Sequence, residues 1–294
     1  MNRSSLIIKK INFNEIKYCC LFLKKNLKIN MTLDFYRWRY FSNGSCAFIV
    51  KFQDNIIGHV GFTKQTLNFS NQDIYLRHSS CVDFKFRRLG VYSNLINYAF
   101  NYLKKKTNFI VTWPNALNLK TSKKTNYHKI KREYVIYTSP GESKFQNHVL
   151  PLKRYNQISS YLKYNDKNGI ILKNSKYFKW RYFSNYYIDH QTYFYECEKS
   201  LFLFSYNNLN KELNLLDYIG SKNKFYKNLQ SISWKIRFNF WSLKNTIMQI
   251  KLSKLKFKKT NKKINNEIIF LSKKKIKNNH FFFMSDTDSF INLK

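Results

Sequence analysis

The segment VDFKFRRLGVYSNL, residues 82–95, has the features of a phosphate-binding turn. An apolar run ends at Phe86, two arginines follow, and Gly90 begins a stretch in which apolar residues recur at helical spacing. A turn that leads from a strand into a helix points several backbone N–H groups at one place, and that arrangement binds anions such as a pyrophosphate. Gly90 would permit close approach of a ligand because it has no Cβ. Arg87 and Arg88 would add positive charge.

The same segment matches neither of the two common nucleotide-binding motifs. It lacks the G-x-x-x-x-G-K-[ST] pattern of the P-loop and the G-x-G-x-x-G pattern of the Rossmann turn. On these residues alone, an ordinary strand-to-helix turn with exposed arginines is an equally good interpretation. The neighbouring elements must therefore decide between a binding turn and a plain connection.

The patterning around this segment predicts an α/β fold of the α+β type. Alternating apolar residues indicate strands, and the spacing after Gly90 indicates a helix whose last turn carries lysines, where the helix dipole favours cations. In chain order we predict a strand at 5–9, a helix from Asn12 to about Leu27, a hairpin of 46–52 and 56–67, a strand at 74–86, the helix from Gly90, a strand at 108–113, a short polar helix at 117–125 and a strand at 127–138.

In this context, the segment resembles the acyl-CoA signature of the GNAT superfamily of N-acetyltransferases. The family pattern is a strand ending in V-x-P-x-[YF], followed by R-x-x-G-x-[GAY], and this chain has VDFKF at 82–86 and RRLGVY at 87–92. Phe84 stands in place of the usual proline. After one long helix, the next strand ends in WPN at 113–115, where many relatives have a G-F-P-N-like segment. The resemblance covers about residues 5–155.

The resemblance implies that the chain binds acetyl-CoA as its acyl donor and uses no metal. In relatives, N–H groups of the turn hold the pyrophosphate, and the edge of the preceding strand pairs with the pantetheine arm as an added strand. The asparagine of the next strand bonds the same arm. Carried over residue by residue, the cofactor-binding positions are Cys81, Val82, Asp83, Arg87, Arg88, Leu89, Gly90, Val91, Tyr92 and Asn115. We expect the Asp83 side chain to point toward the turn arginines and not toward the substrate.

The reaction implied by the resemblance is attack of a neutral amine on the thioester. A backbone N–H group would stabilise the oxyanion, and a general base would take the amine proton. His78, on the strand before the signature, is the candidate catalytic base, with an exposed strand histidine as the alternative interpretation, and His59 is a second candidate. No residue is assigned as the general acid. The position at which many relatives have a catalytic tyrosine falls near Ser122 in this chain. The next tyrosine, Tyr127, matches the residue that opens the following strand.

The hexapeptide WRYFSN occurs twice, at 38–43 and at 180–185. A repeat separated by the length of a domain indicates a duplicated domain and not a solenoid, and coincidence in an aromatic-rich chain is the alternative. We predict two GNAT-like domains, 1–155 and 156–294, each a mixed, mainly antiparallel twisted sheet flanked by helices. In each copy the Trp and Tyr would pack a helix against the sheet with the Arg at the rim, or else both hexapeptides would line an acceptor groove.

The second half of the chain shows the same order of predicted strands and helices, but less clearly. Its counterpart of the signature contains Gly220 without a surrounding R-x-x-G-x-[GAY], and Lys222 and Lys224 would hold phosphate only weakly. We therefore predict a degenerate copy that helps to build the acceptor site and does not bind CoA. The predicted elements are strands at 193–196, 201–206, 213–219, 245–257 and 267–272, and a helix from near Lys222 to beyond Trp234.

The net charge of +37 favours an anionic ligand. It also raises the hypothesis of nucleic-acid binding, because clustered basic residues release phosphate counterions and the C-terminal half interleaves aromatic residues with lysines. The same composition follows from AT-rich codons, so most lysines are expected to be solvated surface charge. No apolar run reaches the roughly 18 residues of a membrane span, and the N-terminal apolar patch is too short for a signal peptide. Because the five cysteines form no C-x-x-C pair, we expect a cytoplasmic protein with no disulfide framework and no metal site.

These features predict an N-acyltransferase that moves an acetyl or other acyl group from acyl-CoA to a primary amine. An amino sugar of a surface polysaccharide is the first acceptor class suggested by the resemblance. Asp286 and Asp288 are candidate contacts for it, with a solvated acidic turn as the alternative. Transfer of an amino acid or a longer acyl group in cell-envelope synthesis is the second enzymatic hypothesis. The other hypotheses are a basic nucleic-acid-binding protein on an inactivated acetyltransferase fold and an inactive scaffold.

Overall fold

Strands and helices alternate along the chain in the computed structural model, which describes residues 6–66, 72–113, 127, 129–142, 144–165, 172–183, 191–208, 211–243 and 246–271. The strands are β1 (Leu6–Lys10), β2 (Cys46–Phe52), β3 (Asn55–Thr66), β4 (Asp73–Val82), β5 (Phe109–Thr112), β6 (Lys129–Thr138), β7 (Leu150–Pro151), β8 (Gln191–Cys197), β9 (Ser200–Asn207), β10 (Glu212–Ile219), β11 (Asn239–Leu243) and β12 (Lys258–Phe270). The α-helices are α1 (Ile16–Leu27), α2 (Leu33–Phe41), α3 (Val91–Leu103), α4 (Asn156–Ser159), α5 (Ser175–Tyr182), α6 (Phe225–Ser233) and α7 (Thr246–Lys254).

The described strands form one sheet in the order β1-β2-β3-β4-β5-β12-β6-β11-β10-β9-β8-β7. Neighbours are antiparallel except for two parallel pairs, β4 with β5 and β10 with β11. Read from its two ends, the sheet repeats itself: β1 to β5 at one end correspond to β7 to β11 at the other. The mixed, mainly antiparallel sheet flanked by helices confirms the predicted fold class, with both halves joined in one sheet.

The sixth strand of each half is exchanged. β12 from the second half pairs with β5, and β6 from the first half pairs with β11. β6 and β12 also pair with each other at the centre of the sheet. Because of this exchange, the division of the chain into domains 1–155 and 156–294 stays a prediction.

Helices cover both faces of the sheet in each half. In β2, Cys46, Phe48 and Val50 pack toward α3, whereas Ala47 and Ile49 pack toward α1 and α2. This alternation is what a strand buried on both faces requires. The helix predicted after Gly90 is α3, and it buries its apolar face as its spacing predicts, through Leu95, Ile96, Ala99, Phe100 and Leu103. In the second half, α6 and α7 cover one face and α4 and α5 the other.

Two helices precede the first hairpin, and their caps explain their ends. A capping box between Asn12 and Glu15 precedes α1, as predicted for Asn12, and Lys28 ends the helix in a left-handed conformation with φ +59°. Thr32 caps α2 by accepting a hydrogen bond from the N–H of Phe35. The first hexapeptide therefore begins inside α2. At the junction of the halves, α2 meets α5, which carries the start of the second copy.

Three sequence-based assignments were wrong. The strand predicted at 74–86 ends at Val82, because the Asp83 side chain accepts a hydrogen bond from the N–H of Lys85 and starts a 3-10 turn. The strand predicted at 245–257 contains α7, since an apolar alternation can be overridden by tertiary packing. The helix predicted to pass Trp234 ends one residue before it.

Some predictions lie outside the described residues. These are the helix at 117–125, the contact at Asn115, and the acidic pair Asp286 and Asp288. Within the described part of the chain, each helix is too short or too polar to cross a lipid bilayer.

Candidate functional site

The turn between β4 and α3 presents unpaired backbone donors. Gly90 is the N-cap of α3 and has φ +79°, and no side chain caps the helix there. Among the described residues, the backbone N–H groups of 88–92 have no hydrogen-bond acceptor. A Cβ at Gly90 would meet no atom within 4 Å, so there is free space beside this glycine. Donors at the start of a helix beside an empty volume form an anion site.

Asp83 anchors the start of this turn to α1. Its carboxylate accepts hydrogen bonds from Lys25 Nζ at 2.9 Å and from the N–H of Lys85 at 3.1 Å. Burial alone would raise the pKa of Asp83, but the hydrogen bonds from Lys25 and Lys85 outweigh it and hold the pKa below its usual value. The expectation that Asp83 points toward the turn arginines was wrong, because Lys25 reaches it from the neighbouring helix.

Among the described residues, the edge of β4 beyond Arg77 has no partner strand, and the resemblance implies a pantetheine arm at this edge. The parallel pairing of β4 with β5 runs from Tyr75 to Arg77 and stops there. Beyond it, the side chains of Cys81 and Val82 are buried in the two cores, so only their backbone is available at the edge. The carbonyl of Val82 accepts a hydrogen bond from Arg87 Nε at 3.1 Å. An edge with free backbone groups can bind an extended chain as an added strand.

A β-bulge interrupts β4 close to this edge. The ladder to β3 passes from the pair His78–Gly61 to the pair Cys81–His59. Ser79, inside the bulge, has φ +46°, which is unusual for a residue other than glycine. Its hydroxyl accepts a hydrogen bond from Tyr40 at 2.9 Å. Bulges commonly redirect the backbone next to active sites.

The two candidate histidines have different surroundings. His59 is fully buried, and this burial lowers its pKa to about 4, so the ring is neutral. Its Nδ1 donates to the carbonyl of Ser79 at 2.8 Å, which leaves Nε2 to accept a hydrogen bond from Tyr36 at 2.7 Å. With both nitrogens engaged, His59 holds the bulge. His78 is half-buried, with Nε2 2.9 Å from the hydroxyl of Thr63, and it stays the predicted base.

Comparison with known proteins identifies the fold. No family model and no curated protein matches the sequence. Among solved structures, a probable N-acyltransferase from Enterococcus faecalis V583 matches with a TM-score of 0.65 and 9% identity, over 91% of this chain and 72% of that chain. A GCN5-related N-acetyltransferase from Anabaena variabilis ATCC 29413 matches with a TM-score of 0.65 and 11% identity, over 91% of this chain and 73% of that chain. The chain has the GNAT fold.

A third structure with this fold was solved with a bound acyl-CoA. Saccharomyces cerevisiae N-myristoyltransferase, solved with bound myristoyl-CoA, matches with a TM-score of 0.58 and 12% identity. The match covers 96% of this chain and 88% of that chain. Both halves of the sheet are therefore accounted for by known structures with this fold.

The second half of the GNAT-like sheet has a different turn at the equivalent place. Gly220 follows β10, but a Cβ there would lie 2.5 Å from the hydroxyl oxygen of Ser200, so no free space faces it. A 3-10 turn leads directly into α6, whose N-cap, Lys224, is in the right-handed helical region. Lys224 pairs with Glu198 at 2.9 Å. The second turn thus lacks the open, left-handed glycine of the first.

A buried ion pair lies beside a register shift in the sheet of the second half. The ladder between β9 and β10 shifts register beside Asp217, a fully buried residue. Lys173 and Tyr182 both donate to its carboxylate. Burial and the adjacent carboxylate raise the pKa of Tyr182 well above its usual value, so the phenol remains a hydrogen-bond donor. Tyr182 occupies the same place in the second hexapeptide as Tyr40 in the first.

The hexapeptide side chains pack only partly as predicted. Tyr40 lies against Gly61 of β3, where an added Cβ would be 2.2 Å from its ring, so this tyrosine packs α2 onto the sheet. The expectation of arginines at the rim was wrong. Arg39 and Arg181 are each only 3% exposed, and Arg39 lies over the rings of Phe35 and Tyr40. The acceptor-groove alternative for the hexapeptides stays a hypothesis.

Reasoning from the sequence missed Tyr36, Tyr40 and Ser79 as parts of the site. The repeat drew attention to Tyr40 but gave no sign that it bonds a bulge on another strand. The described residues contain no cluster of His, Cys, Asp and Glu arranged to hold a metal ion, and the five cysteines are free thiols.

Proposed function

We propose that the chain is an acyl-CoA-dependent N-acyltransferase with one CoA site, in its first half. The observation that carries the proposal is the turn after β4, where the N–H groups of 88–92 lack acceptors among the described residues and there is free space beside Gly90. A pyrophosphate would accept hydrogen bonds from these donors, with Arg87 and Arg88 beside it. The acyltransferases among the structural neighbours support the same class of chemistry.

Acetyl-CoA in this site would supply an activated thioester. The edge of β4 beyond Arg77 has no partner strand among the described residues, and it would hold the pantetheine arm and bring the thioester toward the bulge at Ser79. His78 precedes the bulge and would take the proton of the attacking amine, directly or through water. A bond forms between the amine nitrogen and the acyl carbon, the C–S bond breaks, and CoA leaves as its thiolate. The general acid that protonates this thiolate is unassigned.

The contrast between the two halves supports a single donor site. Gly220 is packed against Ser200, so a phosphate would have no room at the second turn. Tyr182 donates to the carboxylate of Asp217, whereas Tyr40, at the same place in the first hexapeptide, donates to the neutral hydroxyl of Ser79. A negative group at that place would oppose the charge that develops on a thioester oxygen during acyl transfer. The second half would therefore help to bind the acceptor.

The proposal also names the acyl group that is transferred and the acceptor that receives it. Acetyl is the group that the sequence resemblance implies, and a longer chain is the alternative because one neighbour was solved with myristoyl-CoA. A primary amine is the proposed acceptor, and an amino sugar is the first acceptor class to test.

Isothermal titration of acetyl-CoA and of myristoyl-CoA into the whole protein tests the proposal. The variant is Gly90→Asp, which would place a carboxylate in the anion site. Gly44→Asp is the matched control, since Gly44 has φ +78° against φ +79° for Gly90 and lies in the connection between α2 and β2. We expect one site in the wild type, loss of binding in Gly90→Asp, and unchanged binding in Gly44→Asp.

Other outcomes would redirect the proposal. Two equivalent sites would contradict a single donor site, and no binding of either donor by folded protein would overturn the transferase assignment. Titration with a single-stranded oligonucleotide tests the nucleic-acid hypothesis separately from the acyltransferase hypothesis. Binding that weakens steeply with salt and ignores Gly90→Asp would favour that hypothesis.

A further inference from the structure

Arg77 is a buried cation at the point where β4 and β5 separate. The pair Arg77–Thr112 is the last one between these two strands. Both side chains lie on the side of the sheet that α3 covers, because Tyr75 and Ile110, two residues earlier on each strand, pack in the core beneath α3. Arg77 is 7% exposed and Thr112 is 3% exposed. A charged side chain is therefore enclosed at the inner end of the edge that the pantetheine arm would occupy.

The guanidinium group of Arg77 is only partly hydrogen-bonded. Its Nε donates to the hydroxyl of Thr112 at 3.1 Å. In the part of the chain that the structure describes, its two terminal nitrogens donate to no acceptor, and the group forms no ion pair with a carboxylate. Buried charges are normally paired, because the removal of a charge from water is costly. The remaining N–H donors of Arg77 are thus available to a negatively charged group of a ligand.

Charged residues of the two exchanged strands share this side of the sheet. They are Glu267 of β12 and Lys129, Lys131 and Glu133 of β6. Glu267 is fully buried and lies in one row with Arg77, since each of them pairs with Thr112. Burial lowers the pKa of Lys129, the charge of Glu267 raises it, and the charge of Arg77 lowers it further, so these three groups lie near one another. Cations outnumber carboxylates among these described residues, so an excess of positive charge remains around Arg77.

The departing thiolate is the anion that acyl transfer would bring to this place. The pantetheine arm would run from the turn at 88–92 back along β4, so its sulfur end would reach the fork beside Arg77. The sulfur can leave if it receives a proton or if a positive charge stabilises the thiolate. No residue is assigned as the proton donor, whereas a cation beside a sulfur favours the thiolate over the thiol.

We infer that Arg77 is a catalytic residue that stabilises the CoA thiolate in place of a general acid, and that Thr112 positions it. When the C–S bond breaks, its electron pair stays on sulfur, and the terminal N–H groups of Arg77 donate hydrogen bonds to the resulting anion. Arg77 transfers no proton, because a guanidinium group stays charged in proteins. The thiolate takes a proton from solvent after CoA is released. The inference rests on the proposed acyl-CoA function.

The ionisation of the CoA thiol in the complex tests the inference without an acceptor. CoA labelled with ¹³C at the carbon bonded to sulfur is added to the whole protein, and the NMR shift of this carbon is followed as a function of pH. In the wild type, the thiol pKa should be lower than in free CoA by about one unit or more, which is a tenfold or larger gain of thiolate over thiol.

Three variants attribute this lowering to its source. Arg77→Met should return the thiol pKa to its value in free CoA. Arg77→Lys keeps a cation at the fork and should retain part of the lowering. Arg237→Met, the matched control, removes the same charge from an exposed arginine in the connection between α6 and β11, and it should leave the thiol pKa as in the wild type.

The outcomes separate this inference from the proposed function. Absence of CoA binding by folded protein would overturn both. Binding with the thiol pKa of free CoA in the wild type would overturn the inference alone, and so would equal changes in Arg77→Met and Arg237→Met. If Arg77→Met does not fold, Thr112→Val takes its place, because it keeps the shape of the side chain but removes the hydroxyl that holds Nε. It should reduce the lowering, and a lowering as large as in the wild type would then overturn the inference.

Discussion

The indole rings of Trp38 and Trp180 stack on each other, with centroids 4.9 Å apart and planes inclined by 22°. Each indole N–H donates across the junction, Trp38 to the carbonyl of Trp180 at 3.2 Å and Trp180 to the hydroxyl of Ser42 at 3.1 Å. The two copies of the hexapeptide are therefore partners in one contact. Their identical sequences suit a junction in which each copy meets the other, and this agrees with an origin by duplication, which remains a hypothesis.

The stack should contribute measurably to stability. Trp38 is buried, so Trp38→Ala should lower the free energy of unfolding by about 3 kcal/mol. Because the two rings contact each other, the losses in Trp38→Ala and Trp180→Ala should not add, and a double-mutant cycle in urea should give a coupling of about 1 kcal/mol. Strictly additive losses would show that the stack itself contributes nothing.

The ion pair of Lys173 and Asp217 should respond differently to single and double replacement. Both side chains are almost completely buried, at 3% and 0% exposed. Lys173→Met alone leaves a buried carboxylate without its cation and should cost about 3–5 kcal/mol. Lys173→Met with Asp217→Leu should restore most of that loss in denaturant titrations, because two apolar groups need no compensation. A double variant as unstable as the single one would contradict this account.

Stability should fall in mild acid because of His59. Its pKa in the folded protein is about 4, against an ordinary value near 6.5, so the unfolded chain binds the proton more readily. The stabilisation is complete above about pH 6.5 and is lost as the pH falls toward 4, by about 3 kcal/mol in total. Unfolding titrations of wild type and His59→Gln between these limits measure the difference. Parallel curves for the two proteins would exclude His59 as the cause.

His78 should affect the rate of transfer more than donor binding. If it takes the amine proton, His78→Gln should lower kcat by about 10²–10⁴-fold, with little change in the dissociation constant for acetyl-CoA. The assay is thiol release from acetyl-CoA with an amine that the wild type accepts. A rate that is unchanged in His78→Gln would remove His78 from the mechanism.

The turn at Gly90 and the helix after it could be read from the sequence because their signals are local. The apolar spacing in α3 follows directly from which face is buried, and Gly90 is in the left-handed conformation that favours glycine. The neighbouring strands of the first half were predictable for the same reason. In each of these elements, the apolar residues of a single segment repeat with the period of the buried face.

The support of the bulge could not be predicted, because it joins residues that lie far apart in the chain. Tyr40, His59 and Ser79 come from α2, β3 and β4, and a bulge leaves no periodic signal in any of these segments. In the sequence, nothing distinguishes Lys173 from the many surface lysines of a chain with net charge +37. The strand predicted at 245–257 failed for a related reason, since packing by the rest of the protein decided between helix and strand there.

The exchange of β6 and β12 determines when, during translation, each half of the sheet can be completed. The ribosome completes β1 to β5 long before β12 exists, so β5 emerges with one edge open and its partner about 160 residues away, as the pair Phe109–Phe270 illustrates. β6 likewise waits for β11. The first half cannot close its sheet until nearly the whole described chain has been translated, and until then an open strand edge is exposed to other nascent chains. The strand exchange therefore makes the order of translation part of how this sheet is completed.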